Sequence, residues 1–200
     1  MSLFVTFDGP NGSGKTTMIN NLKSGLEKDF SIYQTREPSN TEFGRYVKTN
    51  EHSIRGLAYA YLITAERAYH YDIEIKDALE KYDIVLCDRY IGSSLALQVF
   101  DGVNIDKIWD VNKDFLMPDL GIFMIASEGE LTSRLMARHE LSFFEKEMKR
   151  SDEIHYYNLA YEFMFRKGIP VIKIENSADK YEENLLQVQK MIIRKMEEKK

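Results

Sequence analysis

Leu3-Phe-Val-Thr-Phe-Asp8 runs directly into Gly9-Pro-Asn-Gly-Ser-Gly14-Lys15-Thr16-Thr17. The first half of this stretch, a short apolar run ending at a glycine, suits a buried strand followed by a turn. Its second half satisfies G-x-x-x-x-G-K-[ST], and helical sequence follows from Lys15 to about Lys28. Strand, loop and helix in that order are the context in which the pattern signifies phosphate binding. The chemistry explains the spacing. Gly9, Gly12 and Gly14 let the backbone wrap closely, while the loop N–H groups, those of Asn11 and Ser13 among them, and the helix N-terminus at Thr16 and Thr17 face an anion. Lys15 supplies a mobile positive charge, and the Thr16 hydroxyl can ligate Mg2+. A nucleoside triphosphate is the expected ligand.

Outward from this loop, Ser31 to Thr35, Ile84 to Asp88, Leu120 to Ala126 and Ile169 to Glu175 read as further strands, each separated from the next by helical sequence. Five strands interleaved with helices predict an α/β fold, a parallel sheet covered on both faces in three layers. Ile54 to Glu80 reads as one long helix with an apolar stripe at Ala58, Leu62, Ala65 and Tyr69. Ile63, Arg67 and His70 share a different face of it. The tail from Ala178 places Leu185, Val188 and Ile192 together and ends in Glu-Glu-Lys-Lys, which predicts a docked helix with a frayed end. No linker or repeat interrupts the chain, so one domain is expected over residues 1–200.

Composition removes other classes. The 200 residues are 44% hydrophobic, which excludes disorder, and carry a net charge of −5, which disfavours a nucleic acid polymer as partner. The single cysteine, Cys87, can neither close an intramolecular disulfide nor build a Cys-based zinc site. The N-terminus has no basic region followed by a long apolar run, and no apolar stretch is long enough to span a membrane, so a cytoplasmic location is expected.

What is done with the triphosphate depends on a second anion site. The guanine-reading Asn-Lys-x-Asp of GTPases is missing. A regulatory nucleotide-binding module needs no acceptor site, whereas a phosphotransferase must hold an acceptor and neutralise the moving phosphoryl group. Thr35-Arg36-Glu37-Pro38 and Cys87-Asp88-Arg89-Tyr90 fall at strand carboxyl ends, where open α/β sheets bind ligands. Arg134 and Arg138 stand four apart on a helix before the charged stretch His139 to Arg150, which reads as a mobile cover.

These motifs, with Ala65-Glu-Arg-Ala-Tyr-His70, Cys87-Asp-Arg-Tyr-Ile-Gly-Ser-Ser-Leu-Ala-Leu-Gln98 and Pro118-Asp-Leu120, resemble the thymidylate kinase family over essentially the whole chain. The resemblance implies a P-loop nucleoside monophosphate kinase fold with a small helical lid at about 134–150. It also implies transfer of the γ-phosphoryl group of ATP to dTMP, with Mg2+, in a homodimer. Lys15 would cradle the β- and γ-phosphates, and Thr16 and Asp88 would organise Mg2+. Arg36, Arg67 and Arg89 would surround the acceptor phosphate, Ser94 and Gln98 would read the base, and Arg134 and Arg138 would close over the phosphates. Asp8 stands at the acceptor side and, were the acceptor a nucleoside, Asp8 or Asp88 would serve as base toward its hydroxyl.

Departures from the family pattern gather at the nucleoside end. Asn11 stands where an acidic residue is usual, Ile63 where phenylalanine stacks on thymine, Leu97 where an aromatic closes the sugar's 2′ side, and Lys48 where an arginine helps read the base. Ser39-Asn40 replaces Gly-Gly, and His139 to Glu145 lacks the lid's Asp-Arg pair. Phosphate handling is retained and nucleoside recognition altered, which leaves three readings: a dTMP kinase, a kinase for another nucleotide or a deoxynucleoside, and a catalytically weak regulatory paralogue. His70 and the aromatic stretch Tyr156 to Phe165 read as structural packing.

Overall fold

The computed structural model describes residues 1–136 and 142–199. In chain order the elements are β1 (Leu3–Asp8), α1 (Lys15–Leu26), β2 (Ile32–Arg36), α2 (Glu42–Thr49), α3 (Gly56–His70), a π-helical turn (Tyr71–Ile75), α4 (Lys76–Lys81) and β3 (Ile84–Asp88). There follow α5 (Ile91–Phe100), α6 (Ile105–Asn112), β4 (Leu120–Ile125), α7 (Glu128–Met136), α8 (Phe143–Glu147), α9 (Arg150–Arg166), β5 (Val171–Glu175) and α10 (Tyr181–Glu198). The sheet has the order β2-β3-β1-β4-β5, and every pairing is parallel. The α/β expectation thus holds, with β2 and β5 shifted from the sequence reading by one to two residues.

β1 is buried along its whole length because it is central and covered on both faces. Leu3, Val5 and Phe7 point to the layer formed by α1 and α10, where they meet Met18, Leu22, Val188 and Ile192. Phe4 points the other way, into a cluster with Val85, Cys87 and Phe123 of the neighbouring strands, Tyr90, and Leu95 and Tyr157 from the opposite helical layer. Cys87 is a buried free thiol whose pKa burial pushes up, so it is inert packing. The docked helix runs to Glu198, and Lys200 lies outside the described residues. Lys199 Nζ donates to the Ser2 carbonyl at 2.8 Å and pairs with Asp119 at 2.6 Å, pinning the end of α10 beside β1.

The long helix departs from expectation twice. A π-helical turn interrupts it after His70, and the expected apolar stripe faces the wrong way. Ala58, Ala65 and Tyr69 are exposed and Leu62 only half-buried, whereas Tyr59, Ala60, Glu66, Arg67 and His70 are buried. The reason is that polar residues of α3 find partners at the carboxyl end of β2, which removes the penalty that would otherwise keep them outside. Ser39 N donates to Glu66 at 3.0 Å, and Arg67 Nη2 lies 2.6 Å from Glu37. Among the described residues no helix is long and apolar enough to cross a membrane.

Candidate active site

The loop between β1 and α1 has the backbone its glycines permit. Gly12 and Gly14 have φ of 82° and 93°, in the left-handed region, and a Cβ on Gly14 would lie 2.6 Å from Asn176 Nδ2. Asn176, at the end of β5, uses that nitrogen to donate to the Ser13 carbonyl at 2.8 Å. Arg134 braces the loop from α7 through the Gly12 carbonyl at 3.1 Å and the Asn176 carbonyl at 3.2 Å. Lys15 Nζ folds back onto the carbonyls of Gly9 and Pro10 at 2.8 and 2.9 Å. Burial first, then the Arg89 charge, lowers its pKa to about 7 against the opposing pull of Asp88, Glu153 and Asp8. The Thr16 hydroxyl donates to Asp88 Oδ2 at 2.6 Å, bringing the two sequence-predicted metal ligands together.

At the end of β3 the backbone makes an uncommon turn. Arg89 has φ of 74°, an outlier for a residue with a side chain, and it is held there by its N–H to the Phe7 carbonyl at 2.8 Å. Asp8 supports the same turn. Its Oδ1 accepts from Tyr90 N, Ser93 N and Ser93 Oγ at 3.0, 2.7 and 2.6 Å, and burial raises its pKa against those hydrogen bonds. Asp8 lines neither cavity, and its Oδ1 is taken up in starting α5. The Arg89 side chain swings from this turn to Tyr157 Oη at 2.5 Å, Ser93 Oγ at 3.3 Å and Asn11 Oδ1 at 2.6 Å. Burial alone would depress the Arg89 pKa, but the Tyr157 oxygen, Asp88, Glu153 and Asp8 outweigh it and the net shift is upward. Tyr157 is thus more than packing, since its ring fills the core while its hydroxyl meets the site.

Two cavities meet here. One is walled by Gly12, Gly14, Lys15, Thr16, Thr17, Asp88 and Arg134. The other takes Glu37, Lys48, Tyr59, Ile63, Arg67, Ser94, Leu97, Gln98 and Phe144. Asn11, Arg36 and Arg89 line both, so they form the wall between them. Arg36 is exposed and makes no ion pair among the described residues. Arg67 is the opposite case, buried with Glu37 at 2.6 Å, Ser94 Oγ at 3.0 Å, Asn112, and the Tyr90 ring 4.9 Å away. Its pKa is raised because Glu37 more than offsets burial. Behind the pair, His70 lies 3.8 Å from Glu37 and 3.5 Å from Glu74, and hydrogen-bonds Thr35 at 2.8 Å.

The structure therefore brings together Asn11, Lys15, Thr16, Arg36, Arg67, Asp88, Arg89 and Arg134 as the motifs suggest, with Lys48, Ile63, Ser94, Leu97 and Gln98 around the second cavity. Gly9 and Ser13 line neither cavity and shape the loop instead, and Arg138 lies outside the described residues. Glu37, Tyr59, Phe144, Glu153 and Asn176 escape the sequence reading as site residues. Glu37 carried a legible signal inside Thr35-Arg-Glu-Pro38, and Asn176 a weaker one as a polar residue at a strand end. Glu153 and Phe144 had none, because their partners lie far away in sequence.

A family model described as thymidylate kinase matches residues 7–185. The chain belongs to the thymidylate kinase family. It is 33% identical over 194 residues to a probable thymidylate kinase of Pyrococcus abyssi, covering 92% of this chain and 93% of that relative. A probable thymidylate kinase of Caldivirga maquilingensis is 34% identical over 151 residues, 73% of this chain and 74% of the relative. The crystal structure of thymidylate kinase from Ehrlichia chaffeensis shares the fold with a TM-score of 0.68 at 22% identity, covering 98% of both chains. Family membership makes this thymidylate kinase relative a nucleoside monophosphate kinase, a phosphoryl transferase.

Proposed function

We propose that the chain transfers the γ-phosphoryl group of ATP to the phosphate of dTMP, with ATP on the phosphate loop and dTMP in the neighbouring cavity. The observation that carries this reading is the shared wall, where Arg36 and Arg89 face both cavities. Two anions approaching one another repel, and guanidinium groups between them offset that repulsion and the charge of the transferring group. An acceptor phosphate oxygen is already ionised, so no base is required; the hydroxyl of a nucleoside would require one, and of the two candidates Asp8 Oδ1 is taken up by α5 while Asp88 Oδ2 accepts from Thr16.

Lys15 and the loop amides hold the β- and γ-phosphates in this reading, Arg134 steadies the loop, and Arg67 presents its remaining N–H to the acceptor. Thr16 Oγ1 and Asp88 Oδ2, 2.6 Å apart, are hard oxygen donors that fit Mg2+. Among the described residues no cluster of three or more His, Cys, Asp or Glu side chains could hold a metal alone, which suits an ion that arrives with the nucleotide. When bound, Mg2+ neutralises phosphate charge. At the base end Tyr59, Ile63, Leu97 and Phe144 give apolar walls, and Gln98 Oε1 is buried without a partner, an acceptor ready for a base N–H. The aromatic surface absent at Ile63 is present at Tyr59 and Phe144.

We further propose a homodimer formed through the outer face of α3. Leu57, Tyr61 and Tyr69 on that face, with Ile73 on the π-helical turn that follows, are 40–47% exposed, an apolar surface that water does not favour. The function is tested by ADP formation from ATP and Mg2+ with dTMP, dUMP, UMP, CMP and deoxynucleosides as acceptors. Turnover highest on dTMP supports the reading; turnover on a nucleoside alone, or on none, overturns it.

A further inference from the structure

Asn11 lies between opposite charges delivered by two distant elements. Its Nδ2 donates to Glu153 Oε1 at 3.1 Å, and its backbone N–H donates to the same oxygen at 2.7 Å. Its Oδ1 accepts from Arg89 Nη2 at 2.6 Å. Glu153 is fully buried in the first turn of α9, and its other oxygen takes Arg150 Nη1 at 2.7 Å. Arg150 is itself fixed, donating through Nη2 to the carbonyls of Glu145 and Met148 at 2.7 and 2.6 Å. The charges therefore alternate along a continuous path, Arg150 to Glu153 to Asn11 to Arg89.

The middle member must donate at one end and accept at the other, and the amide of Asn11 does so through two separate atoms, Nδ2 toward Glu153 and Oδ1 toward Arg89. A carboxylate at position 11 would still serve Arg89, but it would face Glu153 across about 3 Å with no proton between them, an arrangement like charges resist. The amide at position 11 and the buried carboxylate at position 153 are thus two halves of one device.

We propose that Glu153 is a positioning residue for phosphoryl transfer: from α9 it holds Asn11, and through Asn11 it holds the Arg89 guanidinium at the wall between the two cavities. The consequence is a physical link between the acceptor cavity's cover and its arginine. Phe144 and Glu145, which line that cavity, precede α9 directly, and Arg150 ties the Glu145 carbonyl to Glu153. This inference rests on the assignment of Arg89 to the acceptor phosphate, made under the proposed function.

The test is a charge swap, measured as kcat and KM for dTMP and for ATP alongside the melting temperature of each protein. Asn11→Asp alone should lower kcat about tenfold or more, because the two carboxylates repel and the oxygen that serves Arg89 is no longer anchored to Glu153. Adding Glu153→Gln should restore kcat to within about threefold of the wild type, since it removes the repulsion between the two carboxylates while its amide oxygen can still accept the backbone N–H of position 11 and Arg89 keeps its acceptor. A double variant no more active than Asn11→Asp, or an Asn11→Asp protein with wild-type kcat, overturns the proposal. Should Asn11→Asp fail to fold, Glu153→Ala decides: a lowered kcat with the KM for ATP kept within about twofold is expected, and a wild-type kcat overturns the proposal. A wild type that turns over no monophosphate overturns both this inference and the function, whereas turnover of dTMP without rescue overturns this inference alone.

Discussion

Arg89 Nη2 lies 2.6 Å from Asn11 Oδ1, so the carboxyl end of β3 and the loop after β1 meet in one hydrogen bond at the wall between the two cavities. The same guanidinium also reaches Tyr157 and Ser93. Arg89 has φ of 74°, and this strained turn is what aims the side chain there rather than along the sheet. Arg89→Lys keeps the charge but cannot span these partners together. It should lower kcat with dTMP about a hundredfold while changing the KM for ATP little. Steady-state kinetics with each substrate varied in turn checks this; equal losses in the two KM values and none in kcat would refute it.

Glu37 and Arg67 form a buried ion pair at 2.6 Å, with Arg67 enclosed by Ser94, Asn112 and the Tyr90 ring. Removing one partner leaves the other charge buried and unpaired. Glu37→Ala should therefore destabilise the fold by about 3–5 kcal/mol, measured as a shift in urea midpoint at unchanged slope. A loss below about 1 kcal/mol would mean that Arg67 escapes to solvent in the variant.

His70 titrates in the same cluster. Burial alone would lower its pKa, but the neighbouring carboxylates of Glu37 and Glu74 outweigh it and raise the value to about 9 from the ordinary 6.5. A group whose pKa is raised by folding contributes stability that is complete below its unfolded value and lost as pH rises through the folded one. The contribution of His70 should thus be full below about pH 6.5 and decline toward pH 9, a change on the order of 3 kcal/mol. The difference in urea stability between wild type and His70→Asn isolates it from other titrations. A difference that stays constant from pH 6 to pH 10 would count against a protonated His70.

Tyr61 and Leu57 stand on the outer face of α3 at 46% and 40% exposure. Tyr61→Glu places a charge in the middle of that apolar stripe, and a buried unpaired charge opposes association. The wild type should sediment as a dimer at micromolar concentration and the variant as a monomer. A monomeric wild type would dismiss the interface.

Much of this architecture was legible along the chain. β1 and β3 fall on the expected residues, and Gly9 to Thr16 folds as a phosphate loop because its flanks, a central strand and a helix, are local features of short range. Arg36 and Arg89 were legible for a topological reason, since parallel strands deliver their carboxyl ends to one edge of the sheet. The face of α3 was not. Periodicity ranks residues by hydrophobicity alone, and it could not register that Glu66, Arg67 and His70 would be buried against partners at the end of β2 while Ala58, Ala65 and Tyr69 stayed outside.

Asn11 shows where the division falls. That position 11 belongs to a phosphate loop and carries an amide is legible along the chain, because spacing and residue type are local properties. What that amide does depends on the folded arrangement, since Glu153 stands 142 positions away and Arg89 stands 78 away, and they reach Asn11 through the packing of α9 on α5 and β4 and the pairing of β3 with β1. Hydrogen bonds are directional and short, so their partners are set by the three-dimensional arrangement of elements and leave no periodic trace in the chain. Cys87 marks the other limit: its burial followed from its strand alone, and the fold added nothing to it.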